Sequence, residues 1–187
     1  MGDLEKITGL ELSLNAQGMI EYSKDEDGNN LIQGSNNSKD ARDMLIHSID
    51  DKKNTVNVAS NPSGEKSFAY GNDMQIGEKQ IQSFINGTSS DLNRSTQRFG
   101  TTFLHDLAHT PSGGGLGDSY VFGTTGAVEN NMNIIRAQMG PTWVQRTSYM
   151  SKVITGMNGG EFIPMSKSSL NLMKSGFPPQ SSYIKLQ

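Results

Sequence analysis

The chain has 187 residues, of which 33% are hydrophobic and 21 are glycine; this suits one domain, or two small ones, with many loops. The formal net charge of −3 is dispersed, which disfavours nucleic acid and anionic membranes as partners, and no apolar run approaches the roughly 20 residues of a membrane-spanning helix. There is no cysteine, which excludes disulfides and thiol chemistry, so any metal must be held by His, Asp and Glu.

Residues 1–90 are predicted to form mainly a small sheet, accompanied by helices. The segments LELSLN and GMIEYS alternate apolar and polar residues, a pattern that is typical of two strands in a meander. The segment SNNSKDARDMLIHSIDDKK is predicted as a helix capped by Ser38. NTVNVAS and SFAYGNDMQIG are predicted as strands, and EKQIQSFING as a short helix or loop that ends at Gly87.

Residues 91–150 are predicted to be helical on both sides of a glycine-rich break. Ser90 or Asp91 is a candidate cap for SDLNRSTQRFGTTFLHDLAH, and one proline and six glycines then interrupt regular structure in TPSGGGLGDSYVFGTTG. A second helix is predicted in AVENNMNIIRAQMG, with Gly140 beyond its end. Its apolar residues fall on one face: Val128, Met132, Ile135 and Met139.

The last region, residues 151–187, has weak periodicity and is predicted as a loop-rich tail with one short helix near SKSSLNLMKS. The three regions are interpreted as parts of one domain that spans residues 1–187.

The segment FLHDLAHT places two of the three histidines, His105 and His109, four residues apart on a predicted helix. Residues at this spacing share a helix face with Cβ atoms roughly 5–6 Å apart, so both imidazoles can reach one metal ion. Asp106 is displaced by about 100° around the helix, from where an acid can act on water without binding the metal. The alternative is a helix that carries two unligated histidines.

A catalytic zinc site needs a third protein ligand, and two acids compete for this role. Asp118 follows His109 by nine residues across the glycine-rich turn, whose glycines allow the chain to reverse tightly. Glu129 lies early in the following helix, where its alternative role is that of a favourable acid in the first turn. We favour Asp118 as the third ligand.

Several of these segments together resemble a family of bacterial zinc metallopeptidase-like domains found at the C-termini of Rhs-repeat and related polymorphic toxin proteins. The resemblance rests on FLHDLAHT, GGGLGD, FGTTGAV, MNIIRAQMG and QRTSY, and on LEKITGLELSLNAQGMIEY and NTVNVAS before them; it covers residues 4 to 150. It implies a zincin fold, with His105 and His109 as zinc ligands, Asp106 as general base and Asp118 as the acid after the turn. The family usually shows H-E-L-x-H, so Asp106 replaces a glutamate that is one methylene longer.

We therefore expect an α+β, zincin-like domain in which a small N-terminal sheet packs on the active-site helix and a second helix backs it. The expected activity is zinc-dependent hydrolysis of peptide bonds, with Tyr149 as a candidate for stabilising the developing negative charge. The resemblance implies a peptide or protein substrate, an immunity protein as partner, and secretion or delivery as the C-terminal part of a larger toxin. The alternative function is a degenerate metal-binding or interaction module without turnover, which the shorter Asp106 favours.

Overall fold

Helices and short strands alternate along the chain, and the computed structural model, which describes residues 1–186, shows a mixed α+β fold with six α-helices and three small sheets. The helices are α1 (Gly2–Thr8), α2 (Lys39–Asp50), α3 (Glu78–Gly87), α4 (Phe99–His109), α5 (Ala127–Gln138) and α6 (Lys167–Lys174). The strands are β1 (Leu12–Leu14), β2 (Ile20–Tyr22), β3 (Asn57–Asn61), β4 (Phe68–Tyr70), β5 (Asp73–Gly77), β6 (Lys152–Ile154), β7 (Gly160–Pro164) and β8 (Tyr183–Leu186).

The N-terminal helix and hairpin cover one side of the main core. Leu4 and Ile7 of α1 are buried, and α1 packs against α4. Gly9 ends α1 with a φ of 71°, a left-handed conformation that glycine adopts without the steric cost of a Cβ atom. The antiparallel pair β1–β2 confirms the two predicted strands, whereas α1 has no counterpart in the predictions because about two turns give little periodicity.

Helix α2 begins at its predicted cap. The buried Ser38 hydroxyl accepts a hydrogen bond from the Ala41 backbone N–H at 3.1 Å and donates one to the Gln138 side chain at 2.6 Å. Because Gln138 is the last residue of α5, this serine both satisfies a free N–H of α2 and links the two helices.

A small sheet lies against the histidine-bearing helix, as the sequence predicts. Its strand order is β3-β5-β4, with β5 parallel to β3 and antiparallel to β4. Met74 and Ile76 of β5 are buried in the same core cluster as Leu104 and Leu107 of α4. Helix α4 also packs against α5, so the active-site helix of the prediction contacts both a sheet and a second helix.

The beginning of α4 differs from the prediction. Ser90 and Asp91 are candidate caps in the sequence, but the helix begins at Phe99, after a short 3-10 helix at Arg94–Gln97. The Asp91 carboxylate instead accepts hydrogen bonds from the backbone N–H and the hydroxyl of Ser182, at 2.9 and 2.7 Å. Asp91, a predicted cap, therefore joins the segment before α4 to the segment before β8.

The prediction of a loop-rich tail in residues 151–187 is wrong for the part that the structure describes. Residues 151–186 contain a three-stranded antiparallel sheet in the order β6-β7-β8, together with the predicted short helix, which is α6. Phe162 and Ile163 of β7 are both buried and face different apolar clusters, so β7 lacks the alternation by which a half-exposed strand is recognised. The strands have three to five residues each and depend on their partners for stability.

No helix in residues 1–186 is long and apolar enough to cross a membrane.

Replacing Ser38 with alanine is expected to lower the free energy of unfolding by about 1–2 kcal/mol, because the α2 cap and the link to Gln138 are both lost. Chemical denaturation followed by circular dichroism measures the change. Ser35→Ala, at an exposed position in the preceding loop, is the matched control and should change stability by less than about 0.5 kcal/mol. Equal effects of the two substitutions would contradict the capping role.

Candidate metal centre

Helix α4 places the two predicted histidines side by side at its C-terminal end. Phe103, Leu104 and Leu107 are buried and fix this helix in the core, while His105 and His109 lie on its partly accessible side. The imidazole centroids are 5.1 Å apart and the ring planes are inclined by 76°. Both side chains therefore face one small region above the last turn of the helix.

The glycine-rich turn brings the predicted third residue to this region. After α4 the chain folds back, and the Leu116 backbone N–H donates to the Ala108 carbonyl at 2.9 Å. The Asp118 carboxylate then faces both imidazoles, with Oδ2 3.1 Å from His109 Nε2 and Oδ1 3.7 Å from His105 Nε2. One donor atom from each of the three side chains lies within 4.8 Å of the others.

The hydrogen bond at Nδ1 fixes which nitrogen His109 presents to the site. His109 Nδ1 is 2.8 Å from the Leu116 carbonyl oxygen. A carbonyl oxygen can only accept a hydrogen bond, so Nδ1 carries the proton and Nε2 faces Asp118. The glycine-rich turn therefore sets both the position of Asp118 and the orientation of one imidazole.

Among the described residues, the Asp118 carboxylate has one oxygen atom, Oδ1, without a close hydrogen bond. Its side chain is 6% exposed, and Oδ1 is buried without a hydrogen-bond partner. Burial opposes ionisation, but the neighbouring His105 and His109 outweigh it and hold the pKa of Asp118 well below its usual range. An unpaired buried carboxylate oxygen beside two imidazole nitrogens fits a divalent cation, and two histidines with one carboxylate are a ligand set of catalytic zinc.

Asp106 lies beside this group, on the wall of a cleft of about 290 Å³ that His105 and Tyr149 also line. The Asp106 side chain is buried, and its Oδ2 has no hydrogen-bond partner among the described residues. Burial raises the pKa of Asp106 to about 6, although the charges of His105 and His109 oppose the shift. The structure therefore places an available proton acceptor next to the first histidine.

The ring of Tyr149 packs flat against His105. The two ring centroids are 5.8 Å apart with planes inclined by only 4°, and the Arg146 guanidinium lies 5.2 Å from the tyrosine centroid. Burial, followed by the negative charge of Asp118, raises the pKa of Tyr149, so its hydroxyl keeps its proton at neutral pH and can act as a donor.

Glu129, the competing third ligand, lies behind the first histidine rather than with the group. It is fully buried, forms ion pairs with Arg136 and Arg146, and is 3.8 Å from Nδ1 of His105. Arg136 has no predicted role, although Glu129 and Arg136 are seven residues apart on one face of α5. Two opposite charges at this spacing, on the face that also carries the apolar residues of α5, predict a buried ion pair from the sequence.

No protein-family model, curated protein or solved structure matches this chain.

Replacing Gly126 with alanine is expected to weaken metal binding by about 10–100-fold, the range observed when groups that orient metal ligands are altered. A Cβ atom at Gly126 would lie 2.5 Å from the Cα and carbonyl carbon of Asp118, and these backbone atoms would have to move. Competition with a fluorescent zinc chelator measures the affinity.

Gly117→Ala is the matched control in the same segment, because a Cβ atom there meets no atom within 4 Å. It should leave the zinc affinity unchanged. If both alanine variants had the same zinc affinity as the parent protein, the close packing of Gly126 on Asp118 would not be needed for zinc binding.

Proposed function

We propose that the chain is a zinc-dependent hydrolase of peptide bonds, with α4 as a zincin-like active-site helix. The convergence of His105, His109 and Asp118, in which Asp118 Oδ1 is buried and unpaired, is the observation that carries this proposal. These three side chains would hold the ion, which matches the three protein ligands of a catalytic zinc site. A bound zinc ion supplies Lewis acidity toward a carbonyl oxygen and lowers the pKa of water.

Two neighbouring groups have the chemistry that such a reaction requires. Asp106 Oδ2 is an unpaired oxygen on the wall of the cleft and serves as the proton acceptor. The Tyr149 hydroxyl keeps its proton and serves as a donor to the negative charge that develops on the substrate carbonyl. The stacking of Tyr149 on His105 ties this donor to the metal-binding helix.

The adjoining cleft is suited to a chain with both polar and apolar groups. Its walls combine the apolar side chains of Phe84 and Ile163 with the polar side chains of Gln97 and Ser151. The assignment to peptide bonds is supported by the His-Asp-x-x-His motif and by its resemblance to the toxin-associated metallopeptidase-like domains. On that resemblance we also propose a peptide or protein substrate, an immunity protein as partner, and delivery as part of a larger toxin.

A metal-binding module without turnover is the second candidate function, and one observation favours it. Asp106 is only 4% exposed and is one methylene shorter than the glutamate that stands in the related motif. The shorter side chain ends about 1 Å further from a water molecule in the site. A displacement of this size can lower a catalytic rate strongly. In this second function, the three side chains still bind the metal ion, but no peptide bond is hydrolysed.

The double variant His105→Ala/His109→Ala is expected to lose specific zinc binding, because two of the three proposed ligands are removed. The parent protein should bind one zinc ion per chain by metal analysis after dialysis. His47→Ala, on α2 away from the site, is the control and should keep the parent stoichiometry. The same trace of zinc in the parent protein and the double variant would overturn the proposed metal site.

Replacing Asp106 with asparagine is expected to lower the rate of peptide hydrolysis by about 10²–10⁴-fold, because the proton acceptor is lost while its shape is kept. Zinc affinity should stay close to that of the parent. Cleavage of a quenched fluorescent peptide library by the zinc-loaded protein measures the rate, and Asp27→Asn, on an exposed turn, is the control.

Asp106→Glu separates the two candidate functions. A rise in the rate of peptide hydrolysis would identify an enzyme whose base is too short. Full zinc occupancy with no hydrolysis by either the parent protein or this variant would instead support the module without turnover.

A further inference from the structure

A buried cluster of charged side chains lies directly behind the proposed metal centre. Glu129, in the first turn of α5, is fully buried, and its carboxylate faces Nη1 of both Arg136 and Arg146. The Asn133 side chain accepts from Arg136 at 2.9 Å and from the Arg146 backbone N–H at 2.8 Å. The cluster therefore joins α5 to the segment that carries Tyr149.

Stability alone does not account for such a cluster. Removing three charges from water costs several kcal/mol per ion before the attraction between them is counted. Well-packed apolar side chains of similar volume often stabilise a protein as much as buried ion pairs do. The position of Glu129 relative to the site points to a more specific role.

The two carboxylate oxygens of Glu129 have different neighbours. Oε1 pairs with Arg136, whereas Oε2 lies 3.3 Å from Nη1 of Arg146 and 3.8 Å from Nδ1 of His105. The opposite ring nitrogen of His105, Nε2, faces Asp118. His105 thus lies between one carboxylate at the metal centre and one outside it.

Nδ1 of each histidine faces an oxygen atom, at hydrogen-bond distance in His109 and at the longer distance of 3.8 Å in His105. The Leu116 carbonyl oxygen contacts Nδ1 of His109 at 2.8 Å, and the Glu129 carboxylate is the acidic group that faces Nδ1 of His105. Histidines that bind metals commonly donate the other ring N–H to a carboxylate or a backbone carbonyl, which fixes the ring and raises its basicity.

We propose that Glu129 is a positioning residue, which attracts the Nδ1 proton of His105 and thereby directs Nε2 toward the metal. This inference rests on the proposed metal site and deepens it. The two arginines hold the carboxylate in place. Arg146 also donates to the Ser148 carbonyl at 2.9 Å and to the Tyr149 carbonyl, so the same cluster supports the ring that stacks on His105.

Glu129→Gln is expected to weaken zinc binding by about 10–100-fold, the effect seen when groups behind metal-binding histidines are removed. The control is Glu26→Gln, because Glu26 is exposed on a turn and does not line the cleft. It should leave zinc affinity unchanged. Competition with a zinc chelator gives the affinity, and circular dichroism shows whether each variant is folded.

A spectroscopic measurement separates positioning from a purely structural effect. In the zinc-loaded parent protein, the Nδ1–H protons of both His105 and His109 should be visible by nuclear magnetic resonance and exchange slowly with water. In Glu129→Gln, the His105 proton should change its chemical shift and exchange faster, while the His109 proton, held by Leu116, should not change.

The outcomes distinguish this inference from the proposal on which it depends. Failure of the parent protein to bind zinc would overturn the metal site and the role of Glu129 together. Zinc binding by the parent protein with unaltered affinity in Glu129→Gln would overturn only the role of Glu129. If Glu129→Gln does not fold, the parent spectrum decides: a rapidly exchanging His105 Nδ1–H overturns the role, and a slowly exchanging one supports it.

Discussion

The buried charge of Asp118 is the constraint on which the candidate site depends. A carboxylate removed from water is costly unless charged or hydrogen-bonding partners surround it. Here the partners are two imidazoles on one helix, and the return of the chain through the glycine-rich turn brings the carboxylate to them. Gly126 allows this return, because its own backbone packs on that of Asp118 where a side chain would not fit. The arrangement leaves one oxygen of this carboxylate, Oδ1, without a hydrogen-bond partner among the described residues.

The rigidity of the site comes from the core beneath it. Helix α4 packs against both β5 and α5, and its residues Leu104 and Leu107 are buried. A helix packed in this way holds the backbone of both histidines at fixed positions, which favours the geometry that the proposed metal site requires. The ring of Tyr149 stacks on His105 and further restricts the rotation of that imidazole.

The C-terminal sheet contributes to the cleft beside this helix. Ile163 of β7 and Leu186 of β8 line the same cleft as His105, together with Glu161. The bond from Ser182 to Asp91 holds this sheet near the start of the helical region. Residues that lack any recognisable pattern in the sequence thus form one wall of the candidate site.

The sequence alone predicted the mixed α+β fold, the cap at Ser38 and the histidine helix, because capping, periodicity and i, i+4 spacing are local properties. It also favoured Asp118 over Glu129, although nine intervening residues left the choice open. Only the tertiary structure decided where these two acids lie, since one depends on the path of a flexible turn and the other on pairing with Arg136 and Arg146. The strands after residue 151 likewise form through pairing and burial between distant segments, which local patterns do not encode.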